Sequence, residues 1–346
     1  MEYYNTKTKD VIWNKALPVI NGAFSPDGGP KANYTTNLNM CETSNKGFEL
    51  ALNTRNIITK NFTWSSSVTF NHNKEKITKL SGGDSDVLNN GDTGYALALG
   101  EAINSYYHYK LDGVWQKGEE TDAAVFGAAP GDLKINIPNL VKESDGRFYK
   151  IDEETGSAAV DENGNVIYYT SDNKYTPSDA DYQILGHNSP DWSLGFQNNF
   201  TWKDFDLSVF VYARYGQMFA YDMLTSYDPK GIRNFPTYFN YWTENNPSND
   251  FPAANANKGL EQYTGYYALR YVDGSFIKIK NITLGYSLPK SILKSAGIEK
   301  CRFYATITNP FVFAKSHLLK DYDPEMNGSL KYPLTKQFVF GVNVTF

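Results

Sequence analysis

The chain has 346 residues, a formal net charge of −5 and two cysteines, Cys41 and Cys301. That mild acidity, with no run of Lys or Arg, excludes a nucleic-acid binder built on a basic surface. Two cysteines so far apart make neither a CxxC metal motif nor a disulfide framework, and an aromatic share of 15% leans towards half-buried pleated surfaces.

No segment approaches the ~18 apolar residues of a membrane-spanning helix. A mean hydropathy of −0.50 also fits a barrel, whose strands average an apolar and a polar face. Met1-Glu2-Tyr3-Tyr4-Asn5 has neither the charged start nor the apolar core of an export signal, so an exported product is expected to begin upstream.

Along the chain, period-two alternation marks the strands. Phe48, Leu50 and Leu52 lead to a turn at Thr59-Lys60-Asn61, after which Phe62, Trp64, Val68 and Phe70 continue the apolar pattern. Trp192, Leu194, Phe196, Phe200 and Trp202 then stand against Ser193, Gly195, Gln197, Asn199 and Thr201. Past a tight Lys203-Asp204 turn, Phe205, Leu207, Val209 and Val211 oppose Asp206, Ser208, Tyr212 and Arg214, with Phe210 the exception. Ile282, Leu284, Tyr286 and Leu288 run into Pro289; Ile277 and Ile279 are out of phase with them, which predicts a bulge at Lys280-Asn281. Phe303, Ala305 and Ile307 follow a connection at 291–298. The last strand is the clearest, with Phe338, Phe340, Val342, Val344 and Phe346 on one face, which is expected to meet membrane lipid.

Short turns at one end contrast with long polar connections at 16–44, 116–187, 217–266 and 315–335. That asymmetry belongs to outer-membrane barrels and is rare in soluble sandwiches. The expected fold is all-β, an antiparallel transmembrane barrel segment of eight or ten strands. Residues 106–115 either find a return strand within 117–187 or belong to a loop.

Several ordered motifs are similar to SusC/RagA-type TonB-dependent transporters. They are Asn45-Lys46-Gly47-Phe48-Glu49-Leu50, Asp112-Gly113-Val114-Trp115-Gln116, Pro130-Gly131-Asp132 and Ile184-Leu185-Gly186. Downstream come Phe205-Asp206-Leu207-Ser208, Tyr271-Val272-Asp273, the run from Phe276 to Pro289, Thr308-Asn309-Pro310-Phe311, Asp321-Tyr322-Asp323-Pro324-Glu325 and Tyr332-Pro333-Leu334. The resemblance implies a plugged barrel of 22 strands in the outer membrane, energised by TonB and capped by a SusD-like lipoprotein that captures glycan or peptide. Residues 1–346 would then be the C-terminal part of that barrel, about half of it. The plug, the TonB-contacting segment and the signal peptide would lie elsewhere, and the chain alone would not transport. The stretch 133–182 departs from the family pattern, which puts any ion site there in doubt.

His72, His108, His187 and His317 lack metal-ligand spacing, and no GxSxG, HExxH or P-loop occurs, so neither enzyme, metal nor cofactor is expected. Asp161-Glu162-Asn163-Gly164-Asn165 places its glycine fourth rather than sixth, which favours an Asn-Gly turn over a calcium loop. The candidate ligand residues are loop aromatics, Tyr238, Tyr241, Trp242, Tyr263, Tyr266 and Tyr267, whose rings either stack on sugar faces or pack the loop on itself. Two other readings stay open: a soluble carbohydrate-binding β-protein and a small self-closing porin.

Overall fold

Residues that alternate over a long enough stretch can pair edge to edge into a wall with one apolar and one polar surface. In a computed structural model, which describes residues 1–16, 35–80, 87–89, 95–226, 229–230, 237–294 and 297–346, eight strands do so. They are β1 (Glu2–Ala16), β2 (Thr35–Ile58), β3 (Phe62–Leu80), β4 (Trp192–Trp202), β5 (Phe205–Tyr215), β6 (Phe276–Ser287), β7 (Lys300–Ala314) and β8 (Gln337–Thr345). Each pairs antiparallel with the next in the chain, an up-and-down meander.

Register carries the apolar face from strand to strand. Ile57, Trp64, Phe200, Leu207, Leu284, Ala305 and Phe340 lie side by side from β2 to β8. One row nearer the short turns, Phe62, Trp202, Phe205, Tyr286, Phe303 and Val342 form an aromatic belt. Trp202, Phe205 and Phe303 remain 43–56% exposed there, as a girdle against a lipid interface would be. Phe338, Phe340, Val342, Val344 and Phe346 share this outer face and are all exposed.

The opposite face is polar and internally bonded. The Arg302 guanidinium donates to both oxygens of Asp206 at 2.8 and 2.5 Å across the Gly285 backbone. Thr283 and Thr306 share a hydrogen bond of 2.9 Å, and the Gln197 amide donates to Ser208 at 2.7 Å. Phe210, the exception to alternation, lies over Gly195, where a Cβ would come within 3.4 Å of its ring.

The predicted bulge is present. Register slips between Ile279 and Asn281, so that Lys280 faces both Asn309 and Pro310. Asn309 takes φ of 53° there, and Pro310 loses nothing by lacking an N–H at an unpaired position.

One expectation needs correction. Strands β2 and β3 run well past the apolar segments, so residues 35–44 of the expected 16–44 loop are strand; residues 17–34 lie outside the described ones. For residues 106–115, where a wall strand and a loop were both open, the structure takes the loop alternative. Strands at Ser105–His108 and Gln183–His187 join a separate small sheet with Tyr95–Ala98 and Val87–Asn89, and Lys110–Val114 pairs with Leu133–Asn136. Among the described residues the wall has eight strands, the lower of the two expected counts, and it is open: β1 pairs there with β2 only, and β8 with β7 only.

The outer face is the one expected to meet lipid, so a charge should be tolerated on the inner face and not on the outer. In the full-length protein refolded into lipid vesicles, Ile282→Arg should cost about 2–4 kcal/mol in a denaturant titration. Thr283→Arg, one residue away but pointing inward, should cost clearly less. Equal costs would overturn the assignment of faces.

Candidate functional site

The long connections do not trail as separate loops. Segments from 95–187, 216–275 and 315–336 meet in one apolar core at the long-loop end of the wall. Phe219, Leu224, Phe251, Tyr266 and Leu319 are each at most 2% exposed in it. Phe239 stacks on Phe251 with centroids 4.2 Å apart and planes 7° apart. Burying one such large apolar side chain contributes about 1.5–3 kcal/mol.

This core claims half of the candidate ligand aromatics. Trp242 is 8% exposed, Tyr263 4% and Tyr266 2%. The Trp242 indole donates to Gln116 Oε1 at 2.9 Å, and the Tyr263 hydroxyl donates to the Ala253 carbonyl at 3.1 Å. Tyr238 is half-buried against the same cluster. Tyr241 at 40% and Tyr267 at 53% keep open ring surface. The six rings therefore divide: Trp242, Tyr263 and Tyr266 build the core, Tyr238 packs against it, and Tyr241 and Tyr267 are the more exposed.

The Pro130-Gly131-Asp132 element is the joint between loops. Gly131 takes φ of +95° and leaves no room for a Cβ against Trp242 and Ala253. Its carbonyl accepts from the Ala253 amide at 2.7 Å, and Asp132 pairs with Lys258 Nζ at 2.5 Å.

A second joint escaped the sequence reading. Lys278, on the inner face of β6, is fully buried, and its ammonium reaches Asp323 Oδ2 at 2.5 Å and Glu325 Oε2 at 2.9 Å. Lys280 meets the other Glu325 oxygen at 2.6 Å. Burial alone would raise the Glu325 carboxyl, but hydrogen bonds from Lys280 and Lys278 outweigh it and hold it below its ordinary value. The signal was two lysines at alternate positions in an otherwise apolar strand, facing an acidic loop motif far along the chain. Beneath this clamped loop, against β7, is a cavity of about 480 Å³. Another of about 440 Å³ opens where the three loops meet.

The arm at 133–182 neutralises its own acid. Asp181 is fully buried and accepts from Lys150 Nζ at 2.6 Å, Tyr175 Oη at 2.6 Å and the Ser178 amide at 2.9 Å. Asp161 accepts from the amides of Asn163 and Asn165 around Gly164 at φ +82°, which is the geometry of a turn.

His108 lies parallel to Tyr182, with centroids 4.8 Å apart and planes 14° apart. Burial first, and then the charge of Arg270, push its imidazole down to about 4. A depressed folded pKa contributes stability that is present above the ordinary value near 6.5 and lost as pH falls towards 4.

Two measurements check this picture. Trp242→Ala should cost about 3–5 kcal/mol and open the cap to proteolysis, whereas Tyr241→Ala leaves the protease pattern unchanged. Acidification from pH 6.5 to 4 should lower amide protection factors, taken relative to the intrinsic exchange rate at each pH, around 105–108 and 183–187, and His108→Phe should remove that step; an unchanged profile would sink it.

Comparison with known proteins follows this geometry. No family model matches the chain. It aligns over its full length with the TonB-dependent receptor P3 of Formosa agariphila at 28% identity, covering 32% of that protein. TonB-dependent receptor SusC of Bacteroides thetaiotaomicron is 26% identical over 99% of this chain and 29% of its own length. The RagAB peptide transporter structure superposes with a TM-score of 0.68 at 24% identity, over 99% of this chain and 33% of that one. At that identity the superposition shows the fold. The chain thus spans about a third of the length of the curated relatives it matches. Over its own full length the chain is similar to part of these TonB-dependent receptors, and it shares the fold of the RagAB transporter.

Proposed function

We propose that residues 1–346 are the C-terminal part of the barrel of an outer-membrane nutrient importer. The observation that carries this is the continuous apolar outer face of a wall left unpaired at both edges. Backbone groups cannot stay unpaired in hydrocarbon, where each costs several kcal/mol. Further strands of the same protein would satisfy β1 and β8, and relatives about three times as long supply the precedent. The open sheet speaks against a self-closing small porin, and the lipid-like outer face against a soluble sugar-binding domain.

In this reading the packed loops stand at the cell surface, where a SusD-like lipoprotein delivers glycan or peptide. Tyr241 and Tyr267 are the rings placed to meet cargo or lid. TonB acts through a region outside this chain, and the homologous receptors support transport rather than catalysis.

An antibody against KYPLTKQFVF, residues 331–340, tests the proposal on fractionated native cells. The expected band is in the outer membrane at about three times 39.0 kDa, since the chain spans 32% of a relative. A soluble band near 39.0 kDa would reject it.

A further inference from the structure

The loop at 315–336 carries seven charged side chains: Lys315, Lys320, Asp321, Asp323, Glu325, Lys331 and Lys336. The wall and a neighbouring loop consume most of its acid and one of its bases. Lys315 pairs with Asp273 at 2.7 Å, while Asp323 and Glu325 are held by Lys278 and Lys280. Among the described residues, Lys320, Lys331 and Lys336 have no such partner, and only Asp321 opposes them. The uncompensated charge is therefore +3 − 1 = +2, in a chain whose net charge is −5.

All four of these side chains line the same cavity of about 480 Å³ between the loop and β7. All four are exposed, so each lysine's attraction to an anion is modest and salt-sensitive, and it is their convergence on one cavity that favours a ligand with several carboxylates. Beside the polar Asn309, Asp323 and Ser329, the rest of the lining is largely apolar and includes Met223, Met326, Leu330 and Leu334. Thioether and leucine side chains adapt to varied apolar shapes. Tyr221, the ring deepest in the wall, is 5% exposed and packs against Tyr322 at 4.3 Å, so it offers no open face to a sugar.

We propose that this cavity is a subsite for an extended peptide rich in carboxylates, its acidic side chains drawn by Lys320, Lys331 and Lys336 and its apolar ones by the methionines and leucines. The inference rests on the importer reading and adds the chemical class of cargo. Asn309, at the bulge, closes the floor by donating from Nδ2 to the Thr335 carbonyl at 3.0 Å.

The test uses the full-length transporter in detergent and three labelled probes. These are a Glu/Leu peptide, the same peptide with Gln for Glu, and an oligogalacturonate of equal charge. At low salt the Glu peptide should bind roughly tenfold tighter than the Gln peptide, the scale of three partly exposed charge pairs. High salt should shrink the gap. The triple variant K320Q/K331Q/K336Q should abolish it without changing Gln-peptide binding or the heat-modifiable migration of the barrel. K294Q, on the short-turn side, should leave it intact. A gap that survives the triple variant overturns the subsite while the importer reading stands, as does equal binding of both peptides. Charge-dependent capture of the oligogalacturonate alone would overturn the peptide in favour of an acidic glycan. Binding of no probe, together with no outer-membrane band in the fractionation, would bring down the importer reading itself.

Discussion

Everything in this structure follows from the need to pair backbone amides where water is absent. A strand can cross hydrocarbon only if neighbours on both sides take its N–H and C=O groups. The six inner strands of the wall meet that requirement within the chain, and β1 and β8 meet it on one side only. Side-chain alternation is the consequence. Once the ladder is fixed, every second residue must suit lipid and every other one the interior, and a one-residue slip would exchange them. The bulge at Lys280 is the place where the chain takes such a slip deliberately. It places Lys278 on the inner face while Ile282 stays on the outer one.

Charge on the inner side obeys a different economy from charge on an ordinary surface. Asp206 with Arg302, and Glu325 with Lys278 and Lys280, each join elements distant in sequence. Removing one partner would strand the other in a poorly solvated place, which is why such pairs hold geometry more than they add stability. The clamp at Lys278 therefore fixes where the 315–336 loop lies over the wall, and with it the shape of the cavity beneath.

The wall was legible in the sequence because its signal is local: Phe338 to Phe346 or Trp192 to Trp202 declare a strand without reference to anything else. The ends of β2 and β3 were not legible. Beyond the lipid belt both faces of a strand are wet, so Asn71-His72-Asn73-Lys74 carries no alternation to detect. The loop core was hidden for another reason. Phe219, Phe239, Phe251 and Leu319 are scattered apolar residues in polar stretches, and only long-range packing brings them together. The same blindness affected the aromatic ligand candidates, where composition alone could not separate Trp242, which closes the core, from Tyr241, which stands outside it.

The overlong β2–β3 ribbon has a mechanical meaning. At ~3.3 Å per residue, its 24 and 19 residues reach roughly 60–80 Å, whereas crossing the membrane takes only about 9–11 tilted residues. Roughly half of the ribbon is thus an outrigger, continuous in hydrogen bonding with the wall. Ile77 and the 95–103 segment brace it, with the Ile77 amide donating to the Glu101 carbonyl and the Gly100 amide to the Ile77 carbonyl, both at 2.8 Å. Its pairing breaks register only between Glu42 and Thr43 and between Arg55 and Ile57 among the described residues, so a push on its tip is carried along the strands. Torque from anything docked outside would pass into the barrel staves as into the handle of a lever.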